Sequence, residues 1–194
     1  MATWSDIDWA QPWLAPYRVL GERAAALIER GALAHEVLNA LLEQGAKTAS
    51  PHLPAGPLRF VAPEAPPPGE AYEAFIARTA CVPTRHNLHD FFNGLVWLIW
   101  PALKRRLHEI QAQQIAQLGV GGTRGAVRDA VTLFDENGAL FDAPLALRRA
   151  LVERDWTGLF LTHREPWRQA RLVIVGHALL EQLVQPRKPL CAHV

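Results

Sequence analysis

The sequence predicts an α-rich α+β fold built as a single domain of 194 residues. Three observations lead there. Apolar residues recur at helical spacing in several stretches that proline opens or glycine closes. A few short runs have strand composition, one of them around an Asn-Gly pair suited to a tight turn. Hydrophobic residues make up 49% of the chain, enough for one substantial core at this length. The expectation is about six to seven helices with a small antiparallel hairpin or three-stranded sheet.

The elements follow in order. Residues 1–16 carry Trp4, Trp9 and Trp13 and read as an irregular arm whose aromatics pack onto the body. A first helix is expected from Tyr17 to Arg30, with Val19, Leu20, Ala24, Leu27 and Ile28 facing inward and Gly31 ending it. A second runs from Leu33 to Gln44, with Val37, Leu38, Leu41 and Leu42 inward and Gly45 as its stop. Residues 50–69 hold seven prolines and read as a surface loop, with room for a short strand from Arg59 to Val61. Helical pattern returns from Glu70 to Arg78. Thr84 is placed as the N-cap of a helix from Arg85 to Trp100, and Pro101 as the first residue of a long helix reaching Leu118. Gly119, Gly121, Gly122 and Gly125 form a connection. VTLFDENGALFD (131–142) is read as a hairpin about Asn137-Gly138. A helix is expected from Pro144 to Glu153, a third strand from Trp156 to Thr162, and a last helix from Trp167 to Val184, with Pro166 in its first turn and the final residues as coil.

Charge excludes some functions. Twenty basic residues meet nineteen acidic ones, which leaves no general case for nucleic-acid binding. Cys81 and Cys191 lack disulfide-framework or zinc-knuckle spacing and read as reduced thiols. The N-terminus lacks signal-peptide character, and the longest apolar run, Gly94 to Trp100, is too short to cross a bilayer. A cytoplasmic chain without a membrane partner is therefore expected.

Three polar constellations could carry chemistry. In RHNLHDFFN, helical spacing groups His86, Asp90 and Asn93, with His89 at the edge. In GHALLE, His177 and Glu181 stand one turn apart within apolar surroundings, so burial would require them to be bonded or metal-bound. Imidazole and carboxylate together suit a divalent transition metal such as zinc, or general acid–base work. The candidate metal ligands are His86, His89, Asp90, His177 and Glu181, and the candidate catalytic groups are His89, Asp90, His177 and Glu181. GGTRGAVRD supplies arginines beside glycines, so Arg124 and Arg128, with Arg85, are candidates for binding an anion. Against each stands a bland reading. Helical His and carboxylate pairs often only satisfy one another, the glycine-arginine stretch reads as a flexible loop whose Arg128 and Asp129 make salt bridges, and Asp135-Glu136-Asn137 reads as a plain turn. Lys104-Arg105-Arg106 with His108 reads as a solvated helix face. His-Asp at 89–90 also matches the doublet of HD phosphohydrolases, which would need His35, His52 and a carboxylate such as Asp129 to converge.

Three segments in order, PTRHNLHDFFNGLVWLIWPALK (83–104), RGAVRDAVTLFDENGAL (124–140) and GHALLEQLVQPRKPL (176–190), resemble the bacterial family catalogued as Domain of Unknown Function 3025. The resemblance covers roughly residues 70–194, with Trp100-Pro101 where the family usually has Phe-Pro. It implies a compact bacterial cytoplasmic domain whose three polar segments belong to one design, and it transfers no activity. Two functions stay open. One is a metal-assisted hydrolase acting on a small molecule that bears a phosphate or carboxylate. The other is a binding or interaction module, forming homo-oligomers or holding a partner through the N-terminal arm and the proline-rich loop, with a structural His/Asp/Glu cluster.

Overall fold

The computed structural model describes residues 2–49, 51–118 and 125–194. The expected glycines 119, 121 and 122 and the candidate Arg124 lie outside the described residues. The chain enters through two single turns of 3-10 helix, Trp4–Asp6 and Pro12–Leu14. Next come α1 (Arg18–Glu29) and α2 (Ala34–Ala49), then the antiparallel pair β1 (His52–Leu53) and β2 (Gly56–Pro57). β3 (Arg59–Val61) is followed by α3 (Tyr72–Thr79) and β4 (Cys81–Pro83), which pairs parallel to β3. α4 (Leu88–Ile99), α5 (Pro101–Leu118) and α6 (Ala126–Asn137) follow. β5 (Ala139–Asp142) pairs antiparallel with β6 (Arg171–Ile174), with α7 (Leu145–Val152) between them, and α8 (His177–Gln182) comes last. The fold is thus mostly helical α+β, as expected, but among the described residues the strands form three two-stranded sheets rather than one hairpin or three-stranded sheet.

α4 sits at the centre because it is apolar nearly all round. Leu88, Phe91, Phe92, Leu95, Val96 and Trp97 are all buried, and α2, α5 and α8 pack around it. The N-terminal tryptophans cover it from one side, with Trp4 edge-on to Phe91 at 5.0 Å between ring centres. Residues 141–170 build a small satellite core of Ala143, Leu147, Ala150 and Leu159.

Several expected boundaries move, each for a local reason. Thr84 does not cap α4: its amide donates to the Val61 carbonyl at 2.9 Å, extending the strand pairing, and Asn87 caps instead by accepting from the Asp90 amide at 2.8 Å. α2 runs on through Gly45. On α1, Val19 is 78% exposed and Leu27 38%, while Gly21, Ala24, Ala25 and Ile28 face inward, since the Trp9 ring lies where a Gly21 side chain would be. The expected hairpin over 131–142 is instead the end of α6, closed at Gly138, followed by β5. The strand exists but its partner is β6, far along the chain, so local turn chemistry points to the wrong pairing. Trp156–Thr162 is not a strand. Asp155 accepts from the Gly158 amide at 2.8 Å and starts a π-helical segment, Gly158–Thr162. The last helix is interrupted: Glu165–Gln169 is a short 3-10 helix, Arg171–Ile174 is extended, its β-branched Val173 and Ile174 favouring a strand, and α-helix returns at His177–Gln182. No helix among the described residues is long and apolar enough to cross a membrane.

Candidate functional site

Three helices each bring one side chain to a common point. His89 lies on the first turn of α4, Glu136 at the end of α6, and His177 opens α8. The Nδ1 of His177 is 2.8 Å from the Asp135 carbonyl oxygen, which can only accept, so the ring proton belongs on Nδ1. The Nδ1 of His89 donates in the same way to Glu181 Oε2 at 3.1 Å. Both Nε2 atoms are thereby turned toward each other, 3.1 Å apart. Glu136 Oε2 lies 3.5 Å from the His177 Nε2 and 3.9 Å from the His89 Nε2. These three atoms are close enough together to hold one metal ion. The point equidistant from all three corners of that triangle is about 2.0–2.1 Å from each, which is the bond length of zinc to imidazole and carboxylate.

Charge around the triangle is balanced by buried partners. Lys104, only 5% exposed, grips Asp135 at 2.6 and 2.8 Å. Burial alone would raise the Asp135 carboxyl, but Lys104 beside it wins and holds it below its ordinary range. Burial, reinforced by the Lys104 charge, pushes His177 down to about 4, so its ring is neutral and its Nε2 carries a lone pair at neutral pH. Burial also raises Glu136, which favours the neutral acid unless a cation faces it.

The triangle opens on a cavity of about 520 Å³. Tyr72, Arg85, Asp90, Asn93 and Arg128 line it, together with Glu73, Gln111 and Thr132. Although Tyr72 is 41% exposed over the whole residue, burial of its hydroxyl, then Glu73, Asp90 and Asp135, hold its pKa well above the ordinary value. Arg85 clasps Asp90 through Nε at 3.0 Å and a terminal nitrogen at 2.8 Å, and its own backbone amide adds a third bond at 2.6 Å.

The expected site residues therefore divide. His89, His177 and Glu181 meet, with Glu181 holding a ring rather than joining the triangle. Asp90 lines the same cavity but spends its oxygens on Arg85. His86 is elsewhere: it precedes the helix, so helical spacing does not apply to it. Its Nδ1 accepts from the Ala34 amide at 3.4 Å, its ring sits 5.5 Å from Trp4, and it lines a second cavity of about 710 Å³. Arg128 lines the main cavity, whereas His35, His52 and Asp129 do not, so the set sought from the His-Asp doublet does not line it.

Glu136 escapes a reading of the sequence that places it in a turn. With 126–137 helical, Arg128, Thr132, Asp135 and Glu136 fall on one stripe facing the cavity. Lys104, His108 and Gln111 belong to a stretch whose charge suggests a solvated face, yet all three are buried at 5%, 5% and 6% exposure. Their spacing along α5 is itself helical, which is the available sign of a polar face turned inward.

None of the curated proteins and none of the solved structures compared matches this chain. The family model described as protein of unknown function (DUF3025) matches residues 58–194, the greater part of the sequence, and the chain belongs to that family.

Proposed function

We propose that the chain is a bacterial cytoplasmic enzyme that binds one divalent transition metal at His89, His177 and Glu136 and uses it to hydrolyse a small molecule. The observation that carries this reading is the pair of Nε2 atoms facing each other at 3.1 Å while both Nδ1 positions are taken by acceptors. A cation between the two Nε2 atoms would be ligated by both rings in their neutral form. The Asp135 carbonyl and Glu181 act as the outer partners that fix ring orientation. Two histidines and one carboxylate on one side leave the cavity side open for water and substrate, as a catalytic rather than a structural site requires. Such a metal would supply a hydroxide nucleophile near neutral pH and polarise the bond to be cleaved. Tyr72 and Asn93 line the cavity as hydrogen-bonding groups beside it.

The test is a titration of chelator-treated protein with zinc and with manganese. One equivalent should bind, and at a hundredfold excess over Kd the protein should gain about 2.7 kcal/mol of stability. His89→Ala, His177→Ala and Glu136→Gln should each weaken binding by tenfold or more, roughly the loss of one ligand's worth of free energy. Absence of binding, or binding that survives the histidine changes, overturns the reading.

A second reading has its own observation. Val152, Trp156, Phe160 and Leu161 are 83%, 57%, 57% and 71% exposed beside the satellite core. Exposed apolar residues so close together in sequence suit contact with a second copy of the chain. The N-terminal arm expected to play that part instead packs Trp4, Trp9 and Trp13 on the main core. Sedimentation of the native chain against Phe160→Ser/Leu161→Ser decides this. A self-associating chain that the double change renders monomeric supports it, and a native monomer removes it.

A further inference from the structure

We infer that the cavity takes a small organic anion that also carries a hydroxyl or amino donor, the anion bound by Arg128 and the donor by Asn93. The inference deepens the hydrolase reading and relies on it only for what happens to the bound molecule.

The charges around the cavity are nearly all matched. Glu70 pairs with Arg78 at 2.8 Å, Asp90 with Arg85 at 2.8 Å and Asp135 with Lys104 at 2.6 Å, and Glu73 is hydrogen-bonded to His108 at 3.2 Å. Among the described residues Arg128 is the lining cation with no carboxylate within 4.0 Å. It is nevertheless held in place. Its Nε donates to Gln111 Oε1 at 3.3 Å, and buried Gln111 is anchored in turn by donating to Thr132 Oγ1 at 2.8 Å. That arrangement satisfies the inner edge of the guanidinium and leaves its terminal nitrogens, the fork that fits a carboxylate or a phosphate. Arg85 is the weaker candidate, because Asp90 already fills its fork.

Asn93 supplies the second contact. It is 6% exposed and its Nδ2 donates to the Tyr72 hydroxyl at 3.2 Å, but its Oδ1 is buried with no partner in the protein. An unsatisfied buried acceptor costs about 1–3 kcal/mol, so a site that keeps one is arranged for a donor that arrives from outside. Asn93 and Arg128 line the same cavity, and its volume of about 520 Å³ is that of a small-molecule site.

Binding is measured on chelator-treated full-length protein, so failure of the metal reading cannot mimic failure of this one. The probes are inorganic phosphate and short hydroxy acids of increasing chain length, each against its deoxy counterpart, at constant ionic strength. Phosphate or the carboxylates should protect against thermal unfolding, and Arg128→Gln should weaken that protection about tenfold or more, with Arg128→Lys in between. At least one hydroxy acid should bind about threefold or more tightly than its deoxy partner, a comparison within the native protein that does not depend on a variant folding. Asn93→Leu, if it folds, should erase that preference while sparing the deoxy acid. Protection equalled by sodium chloride, or unchanged in Arg128→Gln, overturns the anion site. Equal binding of every hydroxy acid and its deoxy partner overturns the donor contact.

Discussion

Neutral His177 has a consequence for stability that can be measured without knowing the substrate. Its pKa falls from 6.5 in the unfolded chain to about 4 in the fold, so between those values the unfolded state binds the proton and the folded state does not. Stability contributed by this residue is therefore complete above 6.5 and lost as the pH falls toward 4, by about 3 kcal/mol in all. In chelator, urea denaturation of the native chain should show that loss between pH 6.5 and 4, and His177→Gln, which takes up no proton, should show correspondingly less. Equal losses would mean that the ring is not held neutral. A second residue carries a plainer prediction: Asn87→Ala removes the cap on the Asp90 amide and should cost about 1 kcal/mol by the same assay, whereas Thr84, expected to cap, does not occupy that position. At this scale the sequence is informative where chemistry is local. His177 and Glu181 are legible as a helical pair, and His89 as their partner. His86 is misplaced by helical spacing because the helix begins after it, at Leu88. Glu136 stays invisible as long as the Asn-Gly pair beside it makes its segment look like a turn.

Glycines mark where elements touch. A side chain at Gly176 would overlap the backbone of Glu136, Asn137 and Gly138, so α8 and the end of α6 meet main chain to main chain. That contact sets His177 against Glu136. Gly176→Ala should cost about 2–4 kcal/mol, since no flexible side chain can yield there, and should weaken metal binding as well. Gly45 is the contrast. It lies inside α2 with open space where a methyl group would project, and Gly45→Ala should stabilise the chain by about 0.5–1 kcal/mol. Thermal denaturation of both variants checks the two signs together. The helices are largely legible, because Val37, Leu38, Leu41 and Leu42 on α2, or Pro101 opening α5, repeat local rules. The strands at Arg59–Val61 and Ala139–Asp142 are legible in position but not in pairing. β3 pairs with β4 across α3, and β5 with β6 across α7, and pairing over such separations leaves no mark in a short window.

Across the whole molecule, the family-matched region beginning at residue 58 does not hold the core alone. Tyr17 is fully buried, donates to the Ile174 carbonyl at 2.8 Å and accepts from the Trp100 indole at 3.0 Å, while Leu38 lies where a Gly94 side chain would be. A fragment of residues 58–194 would uncover Phe91, Phe92 and Leu95, and should be less soluble and less helical than the 194-residue chain, which a solubility and circular-dichroism comparison would show. The near end of the chain is thus a cover for α4. The far end plays a different part. His193 donates to the Asn137 carbonyl at 2.9 Å and accepts from the Ala139 amide at 2.8 Å, stapling the turn that follows Glu136. Proline at 193 would delete one of those two stitches and slacken the hinge on which the carboxylate sits. Slack in those two bonds would reach the metal site from a residue that touches none of its ligands, so a weak metal titration in such a variant would trace to the backbone.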